Sequence, residues 1–373
     1  LNSSSTTASS SPIAEALSLA ERALHISSPN PRVGCVITTA AGEVIGRGFT
    51  QQAGGPHAEI MALRDAQAHG RDVRGATVYV TLEPCSHHGR TGPCCDALIA
   101  AGVSRVVASI EDPNPLVAGQ GFGKLRAAGI DVEVGPGAAE SRELNMGFFS
   151  RMIRKRPWVR LKAAASLDGI TALPDGRSQW ITSAAAREDG QHWRARACAV
   201  LTGVGTVLAD NPRLNVRLPA TPRQPHLVIV DSRLETPPTA KLFDIARKVF
   251  IYAAASTRER RTALEARGAT IIEMAAPSGK VDLRRMMEDL ATREINEVHA
   301  EAGFKLNGSL LAGSCVDEML LYVAPKLLGT GAGVANLPPI ASLDRVPSMI
   351  WMETIALGPD LRLRLALSGR HDF

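Results

Sequence analysis

Aromatic side chains are scarce in this 373-residue chain, at 4% of positions, and that shortage leaves no stacking platform for single-stranded nucleic acid. No apolar run approaches the ~20 residues that would cross a bilayer, so no membrane role is expected. Residues 1–11 have neither a basic n-region nor an apolar h-region, so they do not read as a secretory signal. Their Ser- and Thr-rich composition reads as a disordered tail or an expression remnant. Charge of one sign is not concentrated either. Net charge is only +5, and no Lys- and Arg-rich run carries interleaved aromatics, so no nucleic-acid partner is expected. The mild basic balance suits phosphorylated small molecules. Six cysteines in so long a chain, without a secretory signal, exclude a disulfide framework and point to reduced thiols in the cytoplasm.

What is present is an ordinary globular composition, 45% apolar and 21% charged, in a length that suits two domains. Apolar spacing predicts a helix over 12–27 and paired strands over 33–37 and 44–46. A helix over 57–69, a strand over 77–81 and a helix from Cys94 follow. A strand over 105–110, a helix over 121–128 and a strand over 131–134 complete the first part. Residues 135–156 read as a connector with a short polar helix and the basic run Arg151-Met152-Ile153-Arg154-Lys155-Arg156. That run reads as a solvated face or hinge, with a binding role as the lesser alternative. From Trp158 onward, strands at 158–162, 199–202, 226–231, 249–252, 269–273, 297–301 and 318–323 alternate with helices at 184–195, 257–266 and 283–291. Alternation of this kind gives an α/β fold with covered sheets. The resulting division is a tail over 1–11, one domain over 12–150 and another over 151–373.

The strongest chemical pattern is His57-Ala58-Glu59, followed by Pro84-Cys85 and then Cys94. One histidine and two cysteines make a three-ligand zinc site, which leaves a position for water, whereas structural zinc takes four protein ligands. Water on such a zinc has its pKa lowered to about 7. Glu59 is then free to carry the proton to a leaving amine, which is the H-x-E plus P-C signature of zinc deaminases. The usual C-x-x-C is stretched here by the insert Ser86–Pro93. Cys94 can still reach the metal from a helix start, where the positive helix end favours a thiolate. Cys35, Cys95, Cys198 and Cys315 read as small buried hydrophobes. His87 or His88 replacing a cysteine on zinc is the lesser alternative. His25, His69, His192 and His371 read as surface or structural.

The second half carries weaker signals. Gly203-Val204-Gly205-Thr206 follows an apolar strand and reads either as a phosphate-holding turn or as a plain strand-to-helix turn. It is not the dinucleotide fingerprint, because Leu208 occupies the third glycine position. Gly303–Ser309 follows the strand ending at Glu301 and opens a helix that can present amides to a pyrophosphate. Asp231-Ser232-Arg233 reads either as a selector for the 2′-phosphate of NADPH or as a surface turn. Gly329–Gly333 reads as a flexible loop. Together the three strand ends suggest a nucleotide cofactor without naming hydride transfer.

Several long motifs resemble one family, the bifunctional riboflavin-biosynthesis pyrimidine deaminase–reductases. They are Leu82–Thr91 with Pro93-Cys94, Asp112–Gly119, Ser166-Leu167-Asp168-Gly169, Ser178-Gln179-Trp180-Ile181-Thr182 and Ala324–Gly329. The resemblance runs over residues 12–367 in the family's order. It implies a cytidine-deaminase-like three-layer α/β domain followed by a dihydrofolate-reductase-like domain. The first would remove the 2-amino group of 2,5-diamino-6-ribosylamino-4(3H)-pyrimidinone 5′-phosphate, with zinc on His57, Cys85 and Cys94 and with Glu59 as proton shuttle. Asn30, His87, Arg90 and Asn114 would meet its substrate. The second would use NADPH to reduce the ribosyl chain to ribityl. Ala164, Trp180, Thr206, Asp210, Ser232 and Gly303 would contact the cofactor. Lys162, Ser178, Arg194, Leu214, Arg217 and Glu301 would contact the substrate, with Lys162 and Glu301 as candidate proton sources.

Taken alone, Trp180 reads as a core or surface anchor. Two positions depart from the family pattern: Thr50 stands where histidine is usual, and Gly92 stands where proline is usual, which predicts a looser loop. A homo-oligomer, dimer or tetramer, is expected. Two rival readings remain, a deaminase of nucleic-acid bases and a non-catalytic metal- and nucleotide-binding sensor. Intact Glu59 speaks against the sensor.

Overall fold

The computed structural model describes residues 11–87, 92–115, 117–370 and 373. It divides into two compact units, with the boundary between Ile153 and Arg154.

In the first unit the elements are α1 (Pro12–Glu21), β1 (Gly34–Thr38), β2 (Val44–Phe49), α2 (Ala58–Ala68), β3 (Thr77–Val80), α3 (Cys94–Ala100), β4 (Arg105–Ala108), α4 (Gln120–Ala127), β5 (Asp131–Val134), α5 (Ala138–Leu144) and α6 (Met146–Arg154). The strands form one sheet in the order β2-β1-β3-β4-β5. β1 runs antiparallel to β2 and β3, whereas β3, β4 and β5 are mutually parallel and are joined through α3 and α4. Parallel neighbours require such crossovers. α2 lies backbone-close on β2: a Cβ at Gly46 would fall 2.4 Å from the Ala62 carbonyl oxygen, and one at Gly48 would fall 2.2 Å from that of Ala58. Buried Ala58, Ala62 and Ala66 complete this contact. The close seat fixes the first turn of α2, which carries the chemistry described below.

Two expectations are corrected here. α1 ends at Glu21, not at residue 27, because Arg22, Ala23 and Leu24 tighten into bonds three residues back. Its cap is Ser11, whose hydroxyl accepts from the Ala14 N–H, so that residue belongs to the helix rather than to a tail. The stretch after Gly135 is two helices and not a loose connector. Met146, Phe148 and Phe149 of α6 are buried, and Asn145 between the helices grips both the N–H and the carbonyl of Arg32.

The second unit contains β6 (Trp158–Ser166), β7 (Ile170–Ala172), α7 (Ala184–Arg196), β8 (Ala199–Gly203), α8 (Val204–Asp210), β9 (His226–Val230), β10 (Val249–Ala253), α9 (Arg258–Glu265), β11 (Ala269–Glu273), α10 (Leu283–Thr292), β12 (Glu297–Ala300), α11 (Phe304–Ala312), β13 (Glu318–Ala324), β14 (Ala332–Gly333), β15 (Met349–Leu357) and β16 (Asp360–Leu367). Nine strands form one sheet in the order β11-β10-β9-β8-β12-β6-β13-β16-β15. Pairing is parallel from β11 to β13 and antiparallel through β16 and β15. The chain order reverses around β8, β12 and β6, so the carboxyl ends of these strands border a crevice.

One face of the central strands is ionic. Arg160 bridges Glu297 and Glu318, and Arg196 of α7 reaches Glu297 at 3.0 Å. These buried pairs hold α7 against β12. The basic run is likewise no solvated face at its end, because Arg154 and Arg156 converge on the fully buried carboxylate of Asp317 at 3.0 and 2.6 Å. β15 and β16 lie outside the expected elements although Leu361 to Leu367 alternates apolar and charged residues, and β7 lies outside them as well. It pairs with Ala332–Gly333, so the glycine-rich stretch is not merely a loop.

Candidate active sites

Three elements of the first unit bring their ends together. His57 is the N-cap of α2 and uses no side-chain atom for capping, which leaves its ring to point elsewhere. Cys85 follows β3, and Cys94 is the first residue of α3. The Nδ1 of His57 lies 3.6 Å from Sγ of Cys85 and 3.4 Å from Sγ of Cys94. All three ligand atoms fall within 4.8 Å of one another. The stretched spacing therefore does not disturb the set: α3 presents Cys94 with its N–H donating to Cys85 Sγ at 3.3 Å.

Electrostatics show what this set requires. The Cys85 thiol is pulled down to about 4, chiefly by the Cys94 side chain and then by His57, while Cys85 first and burial second push Cys94 up. A cation between the sulfurs lets both become thiolates. Two soft thiolates and an imidazole suit zinc and leave its fourth position open. Glu59, in the first turn of α2, is 3% exposed. Burial first, and Cys85 second, raise its carboxyl to about 7. Cys95 is no competitor, because its thiol turns away to the carbonyls of Pro84 at 3.1 Å and Gly121 at 3.6 Å.

Of the expected substrate contacts in this unit, Asn30 stands in the turn after α1, and its N–H donates to Ser27. Asn114 is held by an N–H bond to Asp112 Oδ1 at 2.8 Å. His87 carries a buried Nδ1 with no partner among the described residues, as a ligand contact would leave it. Arg90 lies outside the described residues, as does His88. Thr50 is 3% exposed, and its hydroxyl is bonded to the N–H and carbonyl of Val33. That departure from the family pattern therefore braces the entry to β1.

In the second unit Arg194 of α7 grips Glu301, just beyond β12, through Nε–Oε1 at 2.6 Å and Nη2–Oε2 at 2.8 Å. Its Nη1 also donates to the Asn215 carbonyl at 2.7 Å, which pins the segment between Leu214 and Arg217. Burial opposes ionisation of Glu301, but Arg194 outweighs it and holds the carboxyl far below the usual range. Lys162, on the neighbouring β6, is lowered by burial against the pull of Glu301. Arg217 feels both Arg194 and Glu301. Leu214 is buried with φ +50°, and Ser178 is half-buried in the loop before α7.

The expected cofactor contacts border the same crevice. Gly203 caps α8 and Gly303 caps α11, at the ends of adjacent parallel strands. A Cβ at Gly303 would lie 3.7 Å from Thr206 Oγ1, so the two glycine turns face each other. Asp210 ends α8 and is exposed. Ala164 stands on β6, two residues beyond Lys162. Ser232 stands in the turn after β9, but its hydroxyl accepts the Val281 N–H at 3.3 Å. Trp180 is 63% exposed with Arg187 4.4 Å from its ring centre, so it is not core.

Sequence reasoning missed two residues near these sites. Glu83 is buried beside the zinc-ligand loop, and His299 is buried 3.6 Å from Glu301. Glu83 lies just beyond β3 and takes its partners from Asp112 to Phe122, whereas His299 lies within β12 beside its chain neighbour Glu301.

Residues 157–363 match the family described as RibD C-terminal domain, and residues 7–110 match the cytidine and deoxycytidylate deaminase zinc-binding region. The riboflavin biosynthesis protein RibD of Escherichia coli is 45% identical, with 95% of this chain and 98% of that protein covered. RibD of Acinetobacter baumannii superposes with a TM-score of 0.88 at 41% identity, covering 96% of this chain and 98% of its own. A diaminohydroxyphosphoribosylaminopyrimidine deaminase/5-amino-6-(5-phosphoribosylamino)uracil reductase from Thermotoga maritima superposes at 0.83 with 32% identity, covering 95% of this chain and 97% of its own. With a zinc-type donor set in its first unit and a strand-end crevice in its second, the chain belongs to the RibD family of bifunctional deaminase–reductases of riboflavin biosynthesis, with zinc and NADPH as cofactors.

Proposed function

We propose that the first unit hydrolytically deaminates 2,5-diamino-6-ribosylamino-4(3H)-pyrimidinone 5′-phosphate and that the second reduces the ribosyl chain of the product, giving 5-amino-6-ribitylaminouracil 5′-phosphate. The observation that carries this reading is the buried Glu59 carboxyl beside the three-donor set. His57, Cys85 and Cys94 hold the zinc. Bound zinc supplies a Lewis acid that makes water acidic near neutral pH. Glu59 would take one proton from that water and pass it to the ring nitrogen, then take the second from the hydroxyl so formed on the ring carbon and pass it to the departing amine. Asn30, His87, Arg90 and Asn114 orient the pyrimidine and its phosphoribosyl tail, and the partnerless Nδ1 of His87 supports this.

In the second unit NADPH supplies the hydride. Thr206, Asp210 and Gly303 at the facing turns, with Ala164, Trp180 and Ser232 around them, hold the cofactor. Lys162, Ser178, Arg194, Leu214, Arg217 and Glu301 hold the substrate. Of the two candidate proton sources, Lys162 fits and Glu301 does not, because a carboxylate locked to Arg194 stays ionised and has no proton to give. Alignment of the substrate is the larger part of this step.

The enzyme works in the cytoplasm as a homo-oligomer, dimer or tetramer. Ile350, Trp351 and Met352 are exposed along β15, one of the two edge strands of the sheet, which supports assembly. Sedimentation of the full chain tests it, and a monomer at micromolar concentration would remove that part. The central test follows ammonia release and NADPH absorbance in sequence with purified, zinc-replete protein. Ammonia without NADPH oxidation, or strong salt-dependent RNA binding, would favour the base-deaminase rival. Neither activity would leave the sensor.

A further inference from the structure

Glu83 stands immediately before Pro84-Cys85, and its side chain is 3% exposed. Backbone amides surround it. Oε1 accepts the N–H groups of Gly121 at 2.8 Å and Phe122 at 3.2 Å, and Oε2 accepts those of Gly119 at 2.9 Å and Asp112 at 3.2 Å. Three of these donors are the opening amides of α4, whose N-cap is Gly119 with φ +77° and no capping side chain of its own. A carboxylate at a helix start is favoured by the orphan N–H groups and by the dipole. Here that carboxylate comes from a residue far earlier in the chain. The fit is close: a Cβ at Gly121 would lie 2.2 Å from the Pro84 carbonyl oxygen and 3.0 Å from Glu83 Oε1.

The fourth donor gives the arrangement its direction. Asp112 donates its N–H to Glu83, and its own Oδ1 accepts the N–H of Asn114 at 2.8 Å. Two hydrogen bonds thus run from the residue preceding the Cys85 loop to Asn114. We propose that Glu83 is a positioning residue of the deaminase site, tying the strand end that presents Cys85 to the segment that presents Asn114 and so fixing the distance between metal and substrate anchor. The proposal rests on the reading of Asn114 as a substrate contact. Glu83 touches no substrate in this scheme and acts through Asn114. Charge-assisted bonds of this kind are roughly twice as strong as neutral ones, which suits a tie that must not slip.

The test is steady-state deamination by the zinc-replete full chain, with zinc content and NADPH-dependent reduction of pre-deaminated substrate measured alongside. Glu83→Gln places an amide NH2 against two N–H donors and is expected to raise KM about tenfold, with kcat, zinc content and reduction nearly unchanged. Glu83→Asp keeps the charge and is expected to recover part of the loss. In an Asn114→Ala background, Glu83→Gln is expected to add less than about twofold, because the two residues act as one unit. A KM for Glu83→Gln equal to wild type, or effects of the two substitutions that simply multiply, overturns the proposal. Loss of zinc in both Glu83→Gln and Glu83→Asp assigns the residue to the metal loop and also overturns it. An unchanged KM in Asn114→Ala alone overturns the substrate contact beneath it, which is a separate failure.

Discussion

Arg194 and Glu301 meet in a two-pronged ion pair, Nε to Oε1 at 2.6 Å and Nη2 to Oε2 at 2.8 Å, between α7 and the end of β12. Both side chains are largely out of water. A carboxylate held this way orients a neighbour or a ligand but does not release protons. That single relationship separates the roles of Glu301 and Lys162. Arg194→Lys retains the charge but loses the fork, so reduction is expected to fall at least about tenfold with deamination intact. Arg194→Ala strands a buried carboxylate and is expected to cost about 3 kcal/mol in the second unit. Initial rates of both reactions and thermal melting check this pair of outcomes.

Glu59→Gln is expected to keep zinc, because the residue is not a ligand, and to lower deamination by about 10²-fold or more. Metal analysis and ammonia release on the same preparation check it. Full activity in that variant would remove the proton-shuttle role.

Cys94→Ser is expected to lose zinc and deamination together while NADPH-dependent reduction of pre-deaminated substrate continues. Replacing one of two thiolates removes a ligand and most of the reason for a cation to stay. Zinc content equal to wild type would show that the donor set has been misidentified.

Stability of the second unit is expected to fall with acid in two stages. Burial lowers His226 and His299 from 6.5 to about 4, with Lys248 and Arg223 adding to the effect at His226. The unfolded chain therefore takes up protons that the folded one refuses, and stability declines as pH falls from about 6.5 to about 4. Glu318 behaves differently. Burial opposes its charge, but Arg160 and Arg364 outweigh burial and hold it at about 2. Its contribution is complete above about 4.5 and is lost as pH falls through about 2. All four tryptophans, Trp158, Trp180, Trp193 and Trp351, lie in this unit, so tryptophan emission follows its melting specifically. A melting temperature that stays flat between about pH 6.5 and 4 would contradict the histidine assignment.

Lys162→Met is expected to abolish reduction while NADPH still binds, since the glycine turns at Gly203 and Gly303 proposed for the cofactor are separate from it. Fluorescence titration with NADPH and single-turnover oxidation check the two halves of that statement. Reduction that survives would move the proton source to solvent.

Local residue order carried the zinc site. His57, Glu59, Cys85 and Cys94 were legible because a helix start, a strand end and a second helix start each announce themselves through short-range rules. Ligand chemistry then demands that those ends meet. Strand-helix alternation likewise made both sheets legible up to β13. The terminal hairpin of β15 and β16 lay outside the expected elements although Leu361–Leu367 alternates and Gly358 stands at its turn.

What tertiary structure alone decided concerns groups whose partners are distant in sequence. Nothing around Glu83 says that its carboxylate will take four amides from Asp112 to Phe122. Nothing near Arg154 and Arg156 says that they will meet Asp317 rather than water. Apolar periodicity and ligand chemistry are local and survive in the one-dimensional chain. The pairing of buried charges depends on which strands become neighbours, and that is fixed only when the sheet order is.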